Sequence, residues 1–191
     1  KAKNGDESVR PNIISYRRVI NAYARVGDVE KAEEVLGRMF NDYKHGNTRA
    51  KPNLKTLNLV LSALSNSNYP DAAQRALAFL KRMQDLYDKG LLDKKPDVVS
   101  YTIALKCVSN SGDRDAGEQA EKVIDRMEEL AFQGDSGARP NTMTYSTAIQ
   151  AYSKVGNAKG AEALLERMYK NFTEGNKEVK PNVRTFTNVL Q

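Results

Sequence analysis

Apolar side chains recur along the chain at helical spacing, in paired segments. Tyr16, Val19, Ile20 and Tyr23 occupy positions i, i+3, i+4 and i+7, the stripe of an amphipathic helix, and Tyr145, Ala148, Ile149 and Tyr152 repeat it. Beyond a glycine, Gly27 or Gly156, the spacing returns in Ala32, Val35, Leu36 and Met39 and in Ala161, Leu164, Leu165 and Met168. The predicted unit is helix-turn-helix. A two-helix unit cannot bury its apolar face alone, so neighbours must stack into a right-angled or superhelical array with a concave inner surface. The fold class expected is all-α: a right-handed α-solenoid of stacked helix-turn-helix repeats.

Polar marks fix the register of these units. A proline followed by Asn or Asp, two residues, Ser or Thr and usually an aromatic opens the first helix at Pro11-Asn12, Pro52-Asn53, Pro96-Asp97, Pro140-Asn141 and Pro181-Asn182. Proline fixes φ and the Asn or Asp side chain supplies a local acceptor, both suited to helix entry. The prolines lie 41, 44, 44 and 41 residues apart, and an Arg-Met pair closes each unit, at Met39, Met83, Met127 and Met168, always 13 residues before the next proline. The three extra residues of the middle repeats therefore follow the mid-repeat turn marked by Gly27, Asn68, Gly112 and Gly156, and predict a longer turn or a longer second helix. Polar, glycine-bearing stretches after each Met, such as 44–51 and 133–139, read as helix tails followed by surface loops. The expected organisation is a leader over 1–10, repeats over 11–51, 52–95, 96–139 and 140–180, and the first helix of an incomplete fifth repeat over 181–191.

Composition narrows the chemistry. With 40% hydrophobic and 28% charged residues, the 191-residue chain has enough apolar surface for a core, and no apolar run approaches the length of a membrane span. The start at Lys1 without an initiator Met, and an end at Gln191 early in a helix, read as the edges of an excised piece. A net charge of +6 is compatible with a nucleic-acid partner. Cys107 is the only cysteine and falls in register with Ala22, Ala63 and Ala151, which reads as a small packing residue; His45, the only histidine, has no partners at metal-ligand spacing. No nucleophile with its base, metal cluster or phosphate-cradling glycine loop is evident, so neither catalysis nor a cofactor is expected from these residues.

The Pro-Asn/Asp-x-x-Ser/Thr-Tyr openings, the mid-repeat Gly and the Ala and Met of the second helix resemble pentatricopeptide repeats over residues 11–191. Tetratricopeptide repeats would need a Trp, which the chain lacks. The repeats depart from the family in their length, in Leu57 where Tyr is usual, and in Asn68-Tyr69-Pro70 where Gly is usual.

The resemblance implies a single-stranded RNA partner, with one base recognised per repeat by two or three side chains. Carried onto this sequence, the base-selecting pairs are Arg17 with Asn53, Asn58 with Asp97, Thr102 with Asn141, and Ser146 with Asn182, while Thr187 begins an unfinished pair. The positions expected to pack against bases are Ile14, Lys55, Val99, Met143 and Arg184, of which only Ile14, Val99 and Met143 are apolar. Arg25 and Lys154, just before the mid-repeat turn, are expected to face phosphates; their counterparts Asn66 and Asn110 carry no charge.

Uracil and guanine present an N–H donor at the middle of the Watson–Crick edge, whereas adenine and cytosine present an acceptor. An ionised Asp only accepts and an Asn amide can donate, so Asp97 favours U or G and the asparagines favour A or C. Family behaviour, in which Ser or Thr at the other position goes with purines and Asn with pyrimidines, then implies x-U-A-A, the first base being unassigned because Arg17 has no acceptor. The resemblance also implies a mitochondrial or plastid setting and work in organelle RNA processing, stability or translation. The competing expectation is a protein-interaction or ribosome-associated scaffold, favoured by Arg17 and the irregular packing positions.

Overall fold

The computed structural model describes residues 10–189, so all but the last residue of the expected leader lies outside the described residues. It is all-helical, with no strand among the described residues. The first helices of the repeats are α1 (Ile13–Val26), α3 (Leu54–Asn66), α5 (Val98–Ser111), α7 (Thr142–Lys154) and α9 (Val183–Val189). The second helices are α2 (Val29–Lys44), α4 (Ala72–Asp88), α6 (Ala116–Phe132) and α8 (Ala158–Thr173). No helix is long and apolar enough to cross a membrane among the described residues.

Each first helix packs on the first helix of the next repeat, and each second helix fills the angle between two successive first helices. The backbones of the second helices scarcely approach one another: α6 comes close to α8, whereas those of α2 and α4, and of α4 and α6, stay apart and only side chains reach across. A layer whose members touch lies on the shorter circumference, so the first helices form the inner, concave side of the solenoid. The core runs as a seam between the layers through Ile20, Leu57, Leu61, Leu105, Ile124, Tyr145, Ile149 and Leu164, all fully buried. The methionines of the Arg-Met pairs close it from the outer layer, each at 0% exposure. Contacts are made almost wholly between neighbouring repeats, which makes stability a sum of repeat and interface terms.

The three extra residues of the middle repeats are divided. One lengthens the helix, since α4 and α6 have 17 residues against 16 in α2 and α8. The others lengthen the turn, so both alternatives expected from the spacing hold in part. In the short turns Gly27 and Gly156 take a left-handed φ of 72° and hand over to Asp28 and Asn157, whose side chains cap the second helix. In the long turns Asp71 and Asp115 make no side-chain cap. The second repeat dispenses with glycine because its turn leaves α3 through an extended Ser67, at φ −80° and ψ 162°.

The segments after each Met are less superficial than their polar composition implied. Each second helix runs on past its Met, and a glycine at positive φ follows: Gly46, Gly90, Gly134 and Gly175. Short 3₁₀ turns at Thr48–Ala50, Ser136–Ala138 and Lys177–Val179 then bury Ala50, Ala138 and Val179 completely. In the second repeat Leu92 is buried without such a turn, at 3% exposure. The Asn47 amide ties the first of these turns to the start of its own repeat, donating to the Pro11 carbonyl at 2.8 Å.

Candidate nucleic-acid interface

Every Asn or Asp that follows a repeat-opening proline accepts hydrogen bonds from the first turn of its helix. Asn12 Oδ1 accepts from the backbone of Ile14 and Ser15, Asn53 Oδ1 from Thr56 at 3.1 Å, and Asp97 Oδ1 from Val99 and Ser100, both at 3.1 Å. Asn141 Oδ1 accepts from Met143 and Thr144, and Asn182 Oδ1 from Thr185 at 3.1 Å. Ser100 and Thr144 return a bond to the backbone N–H of Asp97 and Asn141, completing reciprocal caps.

The caps fix which atom of each side chain remains available. A backbone N–H can be accepted only by oxygen, so the amides of Asn53, Asn141 and Asn182 are held with Oδ1 inward. Their Nδ2 groups have no partner among the described residues, nor does Oδ2 of Asp97. The three asparagines thus present a donor and Asp97 an acceptor.

The other members of the pairs come from the preceding first helix. Ser100 Oγ donates to Asn58 Oδ1 at 2.7 Å and lies 3.2 Å from Asp97 Oδ1, so one hydroxyl joins Asn58 to Asp97. Likewise Ser146 Oγ lies 3.0 Å from Thr185 Oγ1, which lies 3.2 Å from Asn182 Oδ1. No such relay joins Thr102 to Asn141 or Arg17 to Asn53. Thr102 instead donates to the Val98 carbonyl at 2.6 Å, keeping its lone pairs, and Thr187 donates to Val183 at 2.9 Å. Ser146 is buried, Asn58 and Thr102 are half-buried, and Thr187 is exposed.

The positions expected to pack against bases stand out from the surface. Ile14, Val99 and Met143 are each about half exposed, whereas Ile20, Leu57, Leu105 and Ile149 of the first helices are fully buried. Lys55 and Arg184 are exposed too, and the Arg184 guanidinium lies 3.9 Å from the Met143 sulfur. A cavity of about 320 Å³ between the fourth and fifth repeats is lined by Asn141, Thr142, Met143, Ser146, Asn182 and Arg184, with Glu178 also on its wall. A second of about 320 Å³ contains Ile14 and Arg17, with Arg18, Asn21 and Leu59. The sequence reading missed Arg18 and Asn21, although Ile14, Arg17, Arg18 and Asn21 share one face at i, i+3, i+4 and i+7. Arg17 Nε is buried with no hydrogen-bond partner.

Of the two cations expected at phosphates, Arg25 is exposed at the end of α1, and Lys154 is exposed but donates to Asn110 Oδ1 at 2.8 Å. The Asn66 amide is turned to the Ala24 carbonyl at 3.0 Å, tying α3 to α1. Cys107 is buried, and burial pushes its thiol up to about 11, the chemistry of an inert packing residue. His45 Nδ1 lies 2.8 Å from the Asn41 carbonyl at the end of α2. Among the described residues no cluster of His, Cys, Asp or Glu could hold a metal ion.

Two helical layers, with capped helix starts in register along the inner one and half-exposed apolar residues beside them, define a helical-repeat solenoid. The chain belongs to the pentatricopeptide repeat family: the model of the pentatricopeptide repeat domain matches residues 2–67 and 134–191, more than half of the chain. The unmatched stretch, 68–133, holds both lengthened turns. No curated protein matches the chain. Repeats of this family bind RNA, in general connection with organelle RNA, and proteins built from them are typically non-catalytic and generally organellar.

Proposed function

We propose that this chain reads single-stranded RNA at about one base per repeat, with the preference x-U-A-A from 5′ to 3′, in organelle RNA processing, stability or translation. The observation that carries the reading is the shared orientation of the caps, which leaves Asp97 an acceptor and Asn53, Asn141 and Asn182 donors. At the second repeat Asn58 Oδ1 is occupied by Ser100, so its Nδ2 joins Asp97 Oδ2 as one donor and one acceptor. That pair complements a uracil carbonyl and its N3–H. At the third repeat the Thr102 lone pairs and Asn141 Nδ2 offer an acceptor and a donor, which complements the adenine amino group and N1. Ile14, Val99 and Met143 provide apolar surfaces on which bases stack.

Stacking contributes roughly 1–3 kcal/mol per base. Over the apolar positions Ile14, Val99 and Met143, less the cost of ordering the strand, affinity no better than micromolar follows, a ceiling of about −8 kcal/mol. With Arg25 and Lys154 as the cations at phosphates, log K falls against log salt with a slope of only about −1 to −2. The test is binding of a short single-stranded oligonucleotide containing UAA, compared with one containing UCC and with duplex RNA, at several stated salt concentrations. Tighter binding of UAA is expected. Equal affinity for all three removes base reading and favours a scaffold that binds protein or structured RNA by shape.

A further inference from the structure

Ion pairs join successive second helices at two of the three junctions, whereas among the described residues only the Gln74 amide reaches across from α4, to Asp113 in the turn before α6 at 3.2 Å. Between α2 and α4, Arg75 reaches Glu33 at 3.4 Å and the Tyr69 hydroxyl donates to Glu30 at 3.2 Å. Between α6 and α8, Arg167 bonds Asp125 at 2.6 Å, lies 3.6 Å from Glu121 and also pairs with Glu128. The acceptors Glu121, Asp125 and Glu128 stand at i, i+4 and i+7, one face of a helix. No ion pair crosses from α4 to α6 among the described residues.

The repeat register explains the gap. Arg126 immediately precedes its Met, as Arg167 does, but the positions of α4 that correspond to Glu121, Asp125 and Glu128 hold Leu77, Lys81 and Gln84. Arg126 turns back to Glu129 of its own helix, at 2.6 Å, with half of its side chain exposed. What remains between α4 and α6 is a groove of about 340 Å³ with Leu77, Leu80 and Val123 on its walls. Lys81, Lys122 and Arg126 are the charged groups lining it, and all are exposed.

Two polar groups in this groove lack partners. Tyr101 lines it at 8% exposure, and its hydroxyl has no hydrogen-bond partner among the described residues. The tyrosines in the same register are satisfied, Tyr16 by Asp42 at 2.6 Å and Tyr145 by Glu128. Gln119 also lines the groove, and its Oε1 is buried and unpaired.

We propose that the groove between α4 and α6 is a docking site for an acidic amphipathic helix of a protein partner, bearing carboxylates spaced like Glu121, Asp125 and Glu128. Its apolar face covers Leu77, Leu80 and Val123, and its carboxylates engage Lys81, Lys122 and Arg126. The Tyr101 hydroxyl donates to one of those carboxylates. The fit is one of charge, since among the described residues no ion pair across the groove engages Lys81, Lys122 or Arg126, and of precedent, since Arg167 already takes this pattern from α6. Apolar walls suit a helix better than a sugar-phosphate strand.

The test uses the 191-residue chain and a fluorescein-labelled peptide carrying the sequence of residues 116–132, followed by fluorescence anisotropy. The control peptide carries Glu121→Lys, Asp125→Lys and Glu128→Lys. Saturable binding of the acidic peptide is expected, weakened about tenfold or more in the protein double variant Lys81→Glu and Arg126→Glu. Both side chains are exposed, and an unchanged circular dichroism melt confirms that the variant folds. Tyr101→Phe, which keeps the ring, is expected to weaken binding about threefold. Absence of saturable binding, equal binding of the control peptide, or unchanged affinity in the double variant overturns the proposal. Displacement of the peptide by polyuridylate assigns the cations to phosphate and overturns it as well.

Discussion

Gly27 and Gly156 occupy the same point of their repeats with the same φ of 72°, yet their surroundings differ, so replacing each by alanine separates backbone strain from repeat stacking. At Gly156 an added Cβ meets nothing within 4 Å. The cost of Gly156→Ala is then the left-handed penalty alone, about 1–2 kcal/mol. At Gly27 the same atom would lie 2.6 Å from the Asn66 carbonyl oxygen and 2.9 Å from Ser67 Cα. These are backbone atoms at the end of α3, so relief requires the helix end to move. That movement pulls on the bond from the Asn66 amide to the Ala24 carbonyl at 3.0 Å. Overpacking of this kind adds about 1–3 kcal/mol, giving about 2–5 kcal/mol in total for Gly27→Ala. Urea unfolding of both variants against the parent chain measures the difference as a shift in midpoint at constant slope. Equal losses would refute the claim that the first turn is clamped between neighbouring repeats.

Two further predictions concern the buried polar groups. Tyr145→Phe removes a hydroxyl that donates to Glu128 and accepts from the Asn171 amide at 2.7 Å, and is expected to cost about 1.5–3 kcal/mol in urea unfolding; Tyr101→Phe, with no partner to lose, stays within about 0.5 kcal/mol. Burial, and then the bond to Asp42, pushes the Tyr16 phenol up to about 12 from 10.0, while burial raises the Cys107 thiol to about 11 from 9.0. The unfolded chain therefore gives up these protons first, so the stability they contribute is complete below pH 9 and is lost between about pH 9 and 12. A urea midpoint that stays constant across that window contradicts the assignment.

The alternation of helices was legible because it rests on strong periodic signals: the stripe from Tyr16 to Tyr23, the buried methionines and the prolines that open each unit. The plugs Ala50, Ala138 and Val179 were not, since a single apolar residue in a polar loop has no period to betray it. Spacing located the extra residues after the turn, but their division between turn and helix depends on whether Asp71 and Asp115 cap, which is a matter of backbone geometry. In the candidate site the residue types and their register were readable. The free atoms were not, because they follow from bonds such as Ser100 to Asn58, formed between residues 42 positions apart. The α4–α6 groove was written in the register all along, as Leu77, Lys81 and Gln84 against Glu121, Asp125 and Glu128, but it gained meaning only once Arg167 was seen to use the acidic set.

The central claim is that a cap orients the side chain that selects the base. It is tested most directly by Asn141→Asp, which keeps Oδ1 available to Met143 and Thr144 and exchanges the free donor for an acceptor. The measurement is the affinity of parent and variant for paired oligonucleotides containing UAA and UGA, at one stated salt concentration. A reversal of preference from A to G at the third repeat, by about tenfold and without loss of helix content, is the predicted result. An unchanged preference in a folded variant would mean that Asn141 caps its helix and does nothing more.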